Sequence, residues 1–192
     1  MPPRLSVTLF FAAALAAGAC GQDRGGAPEG SPAAVVHGAA DKTLAVHRAR
    51  VVVDGPDGRH SEGVVDLPAR LGTLTFTAPG VASASFPIGS PPPSLPAEFR
   101  RIEYTDPVAV IELVRHAEKI DPYGGLLVRG AGTVRYDVNI RLPGQEPFFA
   151  DVYIDSGGRL RRLTVPEDRK DHRPKDRERR LQRLITVDLE LP

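Results

Sequence analysis

The stretch "AGTVRYDVNIRL", residues 131–142, alternates apolar and polar side chains over its whole length. Successive side chains of a strand point to opposite faces of a sheet. This period therefore predicts a strand with one buried face and one solvent-exposed face. The residues that would share the buried face are Val134, Tyr136, Val138, Ile140 and Leu142. We expect that face to be covered either by the protein's own core or by a ligand.

Three neighbouring stretches predict further strands around this one. The stretch "EPFFADVYIDSGGRLRRLTV" (146–165) predicts a hairpin with Asp155-Ser156-Gly157-Gly158 at its tip. The stretches "GLLVRG" (125–130) and "RLITVDLEL" (183–191) predict one strand each. Between the last two strands, residues 166–180 are charged throughout and predict a solvated hairpin loop, with docking to anionic lipid headgroups or to a partner as the alternative.

The N-terminal half of the sequence also predicts strands. Residues 43–78 predict three strands, with a turn at "DGPDG" (54–58). Residues 79–97 contain six prolines, which cannot donate to a sheet ladder, so this segment predicts a loop with at most short pieces of edge strand.

Two helices are expected beside these strands. The stretch "PVAVIELVRHAEK" (107–119) is amphipathic, with Asp106 as its N-cap and Pro107 in its first turn. Residues 33–43 predict a short, weak helix. Because consecutive hairpins dominate, the sequence predicts an α+β fold in which an antiparallel sheet packs on one or two helices.

The first twenty residues, "MPPRLSVTLFFAAALAAGAC", have one basic residue, an apolar run and small residues before Cys20. This layout predicts a signal peptide over residues 1–19, because the apolar run is too short to span a bilayer. Cys20 resembles the acylated cysteine of a bacterial lipobox; the alternative is an ordinary signal peptide that leaves a free thiol. We therefore expect a lipidated Cys20 with a flexible tether over 20–34, and a single domain over 35–192, exported and anchored to the outer face of the cell membrane.

No motif for catalysis, metal binding or a cofactor is present in the sequence. Cys20 is the single cysteine, and the histidines are isolated from one another along the chain; they are His37, His47, His60, His116 and His172. Removing residues 1–19 deletes one basic residue and no acid, so the formal charge falls from +1 to zero. We therefore expect a protein that is not an enzyme, holds no cofactor and does not bind nucleic acid.

The C-terminal half resembles a known family. The stretches "GTVRYDVNIRL", "FFADVYIDSGGRLRRLTV" and "TVDLEL", with the helix that opens at "DPVAVIELV", are similar to actinobacterial lipoproteins of the LppX/LprAFG group and their relatives with the LolA-like half-barrel. The shared hairpin has the form Asp-x-x-Gly-x-Leu and carries basic residues in its second arm, here Arg159, Arg161 and Arg162. The resemblance covers residues 106–191, whereas the proline-rich 79–97 departs from the family pattern.

The resemblance implies a curved antiparallel sheet wrapped around one or two helices, with an apolar cavity between them. Residues 131–142 would be the central strand of this half-barrel, facing the helix that begins at Pro107. Family members carry the acyl chains of lipids or lipoproteins, or use the cavity for protein recognition.

The sequence thus predicts a membrane-anchored, non-enzymatic lipoprotein that binds or carries an acyl chain or lipid in its cavity. Burial of each methylene would contribute about 0.8 kcal/mol without any specific motif. The predicted lining residues are Ile111, Val114, Tyr136, Val138, Ile140, Val152, Ile154, Val187 and Leu189. The alternative is a cell-envelope surface protein with a filled core that acts by contacting an envelope protein.

Overall fold

The computed structural model describes residues 27–168 and 184–192, and within them nine strands form one antiparallel sheet. The strands are β1 Ala49–Asp54, β2 His60–Asp66, β3 Leu71–Ala78, β4 Val81–Pro87, β5 Ala117–Val128, β6 Ala131–Ile140, β7 Phe148–Asp155, β8 Leu160–Pro166 and β9 Leu184–Glu190. The helices are α1 Pro32–Leu44, α2 Ile102–Thr105 and α3 Pro107–Leu113. Single 3-10 turns cover Pro56–Gly58, Ala97–Phe99 and Val114–His116.

The sheet is open, and its last strand in sequence lies in its middle. The strand order is β4-β3-β2-β1-β9-β8-β7-β6-β5, so β4 and β5 form the two edges. Strands β1 to β4 form one meander, β5 to β8 form another, and β9 pairs with β1 on one side and with β8 on the other. This architecture confirms the predicted α+β fold with an antiparallel sheet. The expectation that residues 131–142 form the central strand is wrong, because β6 lies next to the edge strand β5.

Helix α3 begins as predicted but is shorter. The Asp106 carboxylate accepts a hydrogen bond from the Ala109 N–H at 2.9 Å, and Pro107 occupies the first turn. The helix ends at Leu113, followed by a 3-10 turn, whereas the sequence predicted a helix up to Lys119. From Ala117 onward the chain pairs with β6, beginning with Ala117 opposite Ile140, so sheet pairing overrides the helical pattern of these residues.

Helix α1 is longer than the sequence indicated. Ser31 caps it by accepting the Ala34 N–H at 3.3 Å, and Pro32 stands in the first turn. The helix therefore begins inside the range expected to be tether, which shortens the spacer between Cys20 and the folded domain. Helix α1 packs against β5, β7 and β8, and its buried residues are Val35, Val36, Ala39, Ala40 and Thr43.

The proline-rich segment contains a complete edge strand, which corrects the expectation of a loop over 79–97. Strand β4 pairs antiparallel with β3, and its only proline, Pro87, is its last residue. The other prolines of the segment lie before or after the strand. The ladder between β3 and β4 therefore keeps its donors, and the edge position leaves the second side of β4 unpaired.

Candidate functional site

The structure brings all nine predicted lining residues into one apolar core. This core lies between the helices and one face of the sheet, which we call the inner face. None of the nine residues is more than 3 % exposed. They lie on α3 and the turn after it, on β6, on β7 and on β9. Contact of these side chains with a ligand stays a prediction.

Helix α1 contributes a part of this core that the sequence reasoning did not place there. Val36, Ala39 and Ala40 are fully buried in the same apolar cluster as the inner face. Their spacing, together with Val35 and Thr43, follows the helical period and was the available signal. Thr43 fixes the end of the helix, because its hydroxyl donates to the Ala39 carbonyl at 2.6 Å and accepts the Leu160 N–H at 2.7 Å.

Cross-strand pairing aligns buried residues into a row that crosses seven strands. We call it the inner row, and in register order it contains Tyr136, Val152, Leu163, Val187, Val53, Ser61 and Phe76. Three of its members are predicted lining residues. The row begins with the ring of Tyr136, which carries a hydroxyl, and continues through four aliphatic side chains to Ser61 and Phe76. All seven side chains are buried.

Two further buried hydroxyls belong to residues that neighbour Phe76. Ser61 and Tyr104 are fully buried, and neither Ser61 Oγ nor Tyr104 Oη has a hydrogen-bond partner among the described residues. The Tyr104 ring meets the Phe76 ring edge-on, with centroids 5.7 Å apart. Burial raises the pKa of Tyr104 to about 12, although the Arg59 guanidinium opposes this. The phenol is therefore a neutral group at physiological pH.

Tyr104 also explains why residue 55 is a glycine. A Cβ atom built on Gly55 would lie 1.7 Å from Tyr104 Oη, which no side chain can tolerate. The backbone of Gly55 is extended, with φ of −120°, so the reason is close approach and not a left-handed conformation. The tyrosine hydroxyl is thus seated against the turn between β1 and β2.

Four charged residues lie near Tyr104. Arg59 is 8 % exposed; its guanidinium lies 2.5 Å from Glu167 and donates to the Pro56 carbonyl at 2.9 Å. The same guanidinium lies 5.9 Å from the centroid of the Tyr104 ring. Arg101 forms an ion pair with the buried Glu103 at 3.2 Å. Two arginines therefore balance two glutamates, which leaves no excess charge among these four groups.

The opposite face of the sheet, the outer face, carries a separate charge network. Asp188 in β9 is 1 % exposed and accepts hydrogen bonds from Arg162, at 2.5 and 2.9 Å. Arg129, in the turn between β5 and β6, donates to the same carboxylate at 2.8 Å. Strand β6 lies three places from β9 in the sheet, which is about 14 Å at the usual strand spacing. The tip of the β5–β6 hairpin therefore folds across the outer face.

The whole chain can now be compared with known proteins. No family model matches the sequence, and no curated protein matches it. The structure of LprF from Mycobacterium bovis aligns with a TM-score of 0.53 at 13% identity, over 86% of this chain and 94% of that chain. The lipoprotein LppX from Mycobacterium tuberculosis aligns with a TM-score of 0.52 at 15% identity, over 83% of this chain and 93% of that chain. The chain has an LppX/LprF-like fold.

This LppX/LprF-like fold confirms the resemblance drawn from the sequence and extends it. The sequence resemblance covered residues 106–191, whereas the structural alignments cover more than four fifths of the chain. The N-terminal half, which departs from the family pattern in sequence, therefore takes part in the shared half-barrel architecture. At these identities the likeness is one of fold.

The structure also describes the surroundings of some other residues that the sequence analysis named. Among residues 27–168 and 184–192, no group of three or more His, Cys, Asp or Glu is placed to hold a metal ion. In the same part of the chain no helix combines the length and apolar character needed to cross a membrane. His37 donates to the Ala117 carbonyl at 2.8 Å, and His60 lies 2.8 Å from Asp54, so both have structural roles. Cys20, His172 and most of the charged loop lie outside the described residues.

Proposed function

We propose that this protein is an exported lipoprotein, anchored through Cys20 to the outer face of the cell membrane, that binds the acyl chain of a lipid without catalysing a reaction. The observation that carries the proposal is the continuous apolar core on the inner face. Among the described residues, it includes members from all nine strands and from all three helices. A ligand that is mostly hydrocarbon matches such an interior better than any polar substrate does.

Burial of methylenes would make the binding free energy depend on the length of the acyl chain. Each methylene transferred from water contributes about 0.8 kcal/mol, so ten methylenes supply about 8 kcal/mol before the cost of association. The open sheet suits this role, because its edges β4 and β5 are not paired with each other. We expect an open sheet to adjust its curvature around a bound chain more easily than a closed barrel would.

The anchor is supported by the order of segments in the chain. Helix α1 begins at Pro32, so residues 21–31 separate Cys20 from the first described element. A fully extended spacer of this length reaches about 40 Å at most. The domain would therefore stay close to the membrane surface, where lipids are available. The fold shared with the lipoprotein LppX is in keeping with this arrangement.

The direct test uses the chain from residue 21 onward, which retains every described helix and strand. After exposure to membrane lipids, native mass spectrometry should show the protein with a bound lipid mass, and a fluorescent fatty acid should bind with an affinity in the micromolar range or better. Absence of both the added mass and the fluorescence change would refute the proposal.

A matched pair of variants locates the ligand. Val152→Phe enlarges a fully buried side chain of the inner row, whereas Val64→Phe enlarges a residue of β2 that is 44% exposed. We expect the inner variant to weaken binding of the fluorescent fatty acid about tenfold or more and the exposed variant to leave it unchanged. Equal binding by all three proteins would place the probe outside the inner face.

A second candidate function has its own observation. The edge strand β5 exposes three large apolar side chains: Tyr123 at 62 %, Leu126 at 50 % and Leu127 at 62 %. Such a cluster on an unpaired edge is typical of a protein-binding surface. For this candidate, the protein's own side chains would fill the core, and the protein would act by contacting an envelope protein. A photo-crosslinker at Leu127 would then trap one defined partner in intact cells, and Tyr123→Lys would abolish the crosslink.

A further inference from the structure

Strand β5 contains an exposed, uncharged segment, "YGGLL" (123–127), that takes no part in the apolar core. Of the six large apolar side chains that are exposed among the described residues, three belong to this segment: Tyr123, Leu126 and Leu127. We infer that it docks on the surface of a lipid bilayer, with the two leucines at the boundary between headgroups and acyl chains. The inference concerns an outward surface, and it rests on the proposed anchor at Cys20 only for the nearness of a bilayer.

The two leucines are uncovered on both faces of the strand. Leu126 lies opposite Thr133 of β6, and Leu127 lies opposite Gly132, so their cross-strand neighbours are small. Successive side chains of a strand point to opposite faces, and both leucines are at least half exposed. A folded protein with a flat surface would cover one of the two. The boundary region of a bilayer surrounds an inserted side chain on every side, which favours a bilayer as the occupant.

The free edge of β5 is a poor template for a partner strand. Pro122 lacks an N–H group, and the pairing with β6 shifts its register at two places between Glu118 and Gly124. Such irregularities interrupt the row of donors and acceptors that an added strand needs. Whatever covers the two leucines must therefore bind through their side chains rather than through a shared backbone ladder.

Tyr123 gives the segment an amphipathic side chain. The Arg135 guanidinium lies 4.5 Å from the centroid of its ring, and this guanidinium is held by Asp137 at 2.8 Å and by Asp151 at 3.1 Å. Tyrosine rings are enriched at the level of the headgroups, where one end of the side chain is apolar and the other meets water. Tyr123 beside two leucines therefore has the composition of a segment that lies in a membrane interface.

The segment belongs to a strand that is attached at both ends. Beyond its C-terminal end, Arg129 donates to Asp188 on the outer face at 2.8 Å. At its N-terminal end, the carbonyl of Ala117 accepts a hydrogen bond of 2.8 Å from His37 of α1. Docking would therefore order little additional backbone, which lowers the entropic cost of binding.

The distance from the anchor fits a bilayer as the occupant. Helix α1 is the first described element after Cys20, and it packs against β5. The spacer of residues 21–31 reaches about 40 Å at most. From Ala117 to Leu127 the strand extends over at most about 33 Å at the usual rise per residue. The segment can therefore reach the surface into which an acylated Cys20 would insert.

The absence of charge in the segment predicts which bilayers it binds. Residues 123–127 contain no acid and no base. Attraction to a bilayer would then come from burial of apolar surface rather than from contact with anionic headgroups. We expect docking on vesicles of phosphatidylcholine alone, and we expect it to be insensitive to salt concentration.

The first experiment uses the lack of tryptophan in the sequence. In the chain from residue 21 onward, Leu127→Trp places one tryptophan in the segment. Leu71→Trp, at an equally exposed leucine of β3, is the matched control. Each protein is mixed with phosphatidylcholine vesicles whose acyl chains carry bromine. We expect a blue shift and quenching of the emission for Leu127→Trp and neither change for Leu71→Trp.

The second experiment measures sedimentation of the tryptophan-free chain with the same vesicles. The double variant Leu126→Asp with Leu127→Asp should lower the partition coefficient about tenfold or more, because a charged side chain is costly to bring into an apolar boundary. Leu71→Asp should leave the partition coefficient unchanged. All three proteins should have similar thermal unfolding temperatures, since the substituted side chains lie outside the core.

The outcomes separate this inference from the proposed function. If the unsubstituted chain does not sediment with the vesicles, or if the double variant sediments equally well, the inference is overturned, while acyl-chain binding and the anchor keep their own tests. Binding that needs anionic lipid and is lost at high salt would also overturn it. In intact cells, a photo-crosslinker at Leu127 should form adducts with lipid. An adduct with one defined protein would overturn the inference in favour of the protein-binding function.

Discussion

Arg129 and Asp188 are joined across the outer face of the sheet by a hydrogen bond of 2.8 Å, although 59 residues separate them in sequence. Arg129 lies at the tip of the β5–β6 hairpin, and Asp188 lies in the middle strand β9. Arg162 of β8 contacts the same carboxylate. One buried acid therefore holds an edge hairpin, a neighbouring strand and the centre of the sheet together.

Asp188→Ala should destabilise the protein more than the loss of either arginine. Removing the acid takes a charged hydrogen-bond partner from two partly exposed guanidiniums, which costs about 1.5–3 kcal/mol. Arg129→Ala leaves Asp188 paired with Arg162 and should cost about 1 kcal/mol. Urea unfolding measures both changes. Arg50→Ala, in an exposed ion pair with Glu62, is the control and should cost less than about 1 kcal/mol. Equal losses for Asp188→Ala and Arg50→Ala would contradict the structural role of the network.

Stability should fall in acid, with Asp188 and Asp155 as main contributors. Burial alone would raise the pKa of each carboxyl, but hydrogen bonds from Arg162 and Arg129 lower that of Asp188, and those from the Arg159 backbone and Arg161 lower that of Asp155. A carboxyl with a lowered folded-state pKa adds stability above its unfolded pKa of about 4, and this stability is lost as the pH falls through the folded-state pKa.

The measurement is the free energy of unfolding in urea between neutral pH and pH 3. Asp188→Asn should make the decline below about pH 4 shallower, because it removes one of the contributing groups. Burial raises the pKa of Asp151, so this residue acts in the opposite direction and reduces the net slope. An unchanged slope in Asp188→Asn would show that other groups dominate the acid response.

Gly55→Ala should destabilise the protein through collision with Tyr104. The new methyl group would lie 1.7 Å from Oη and 2.7 Å from Cζ, so the ring must move, at a cost of about 1–3 kcal/mol. Tyr104→Phe should restore part of this loss in the double variant, and a double-mutant cycle measures the coupling. Gly38→Ala, in α1 with no atom within 4 Å of the new methyl, should instead stabilise by about 0.5–1 kcal/mol. Additive effects of the first two substitutions would contradict the contact.

Thr43→Val should reveal how α1 is attached to the sheet. The substitution keeps the shape of the side chain but leaves the Leu160 N–H without its acceptor, which costs about 1–3 kcal/mol. Chemical denaturation reports the loss, and hydrogen exchange at Leu160 should accelerate. Thr77→Val, at an exposed position of β3, should stay within about 0.5 kcal/mol. Unchanged exchange at Leu160 would refute the bridging role of the Thr43 hydroxyl.

Cys20→Ala should release the protein from the membrane fraction if Cys20 carries the lipid anchor. Two acyl chains bind a bilayer stably, so loss of the acylated residue would remove the proposed attachment. The distribution of the protein between membrane and medium is read by immunoblotting of cell fractions, with Ser31→Ala, which spares the cysteine, as the control. Unchanged membrane association of Cys20→Ala would refute the anchor.

The sequence predicted the faces of the strands well because alternation is a local property. Tyr136, Val138 and Ile140 are all buried, as their period indicated. The local pattern also predicted the N-cap at Asp106. It could not predict the end of α3, because the pairing of Ala117 with Ile140 depends on residues far along the chain.

Features that depend on contacts between distant residues could not be predicted from the sequence for the same reason. The position of β9 in the middle of the sheet depends on how two meanders meet, and no local pattern encodes that. Ser61 and Tyr104 are 43 residues apart in sequence, and only the fold makes both of them neighbours of Phe76. The β4 strand was missed because six prolines in 79–97 obscured a segment, 81–86, that contains none of them.

The middle position of β9 also governs when folding can finish. Strands β1 and β8 each have one unpaired edge until β9, Leu184–Glu190, pairs with both of them. Neither meander can therefore complete its pairing before β9 is in place. The sheet would therefore close only after β9 has been synthesised. Loss of β9 would leave the facing edges of β1 and β8 unpaired, and such edges promote aggregation of the folding chain.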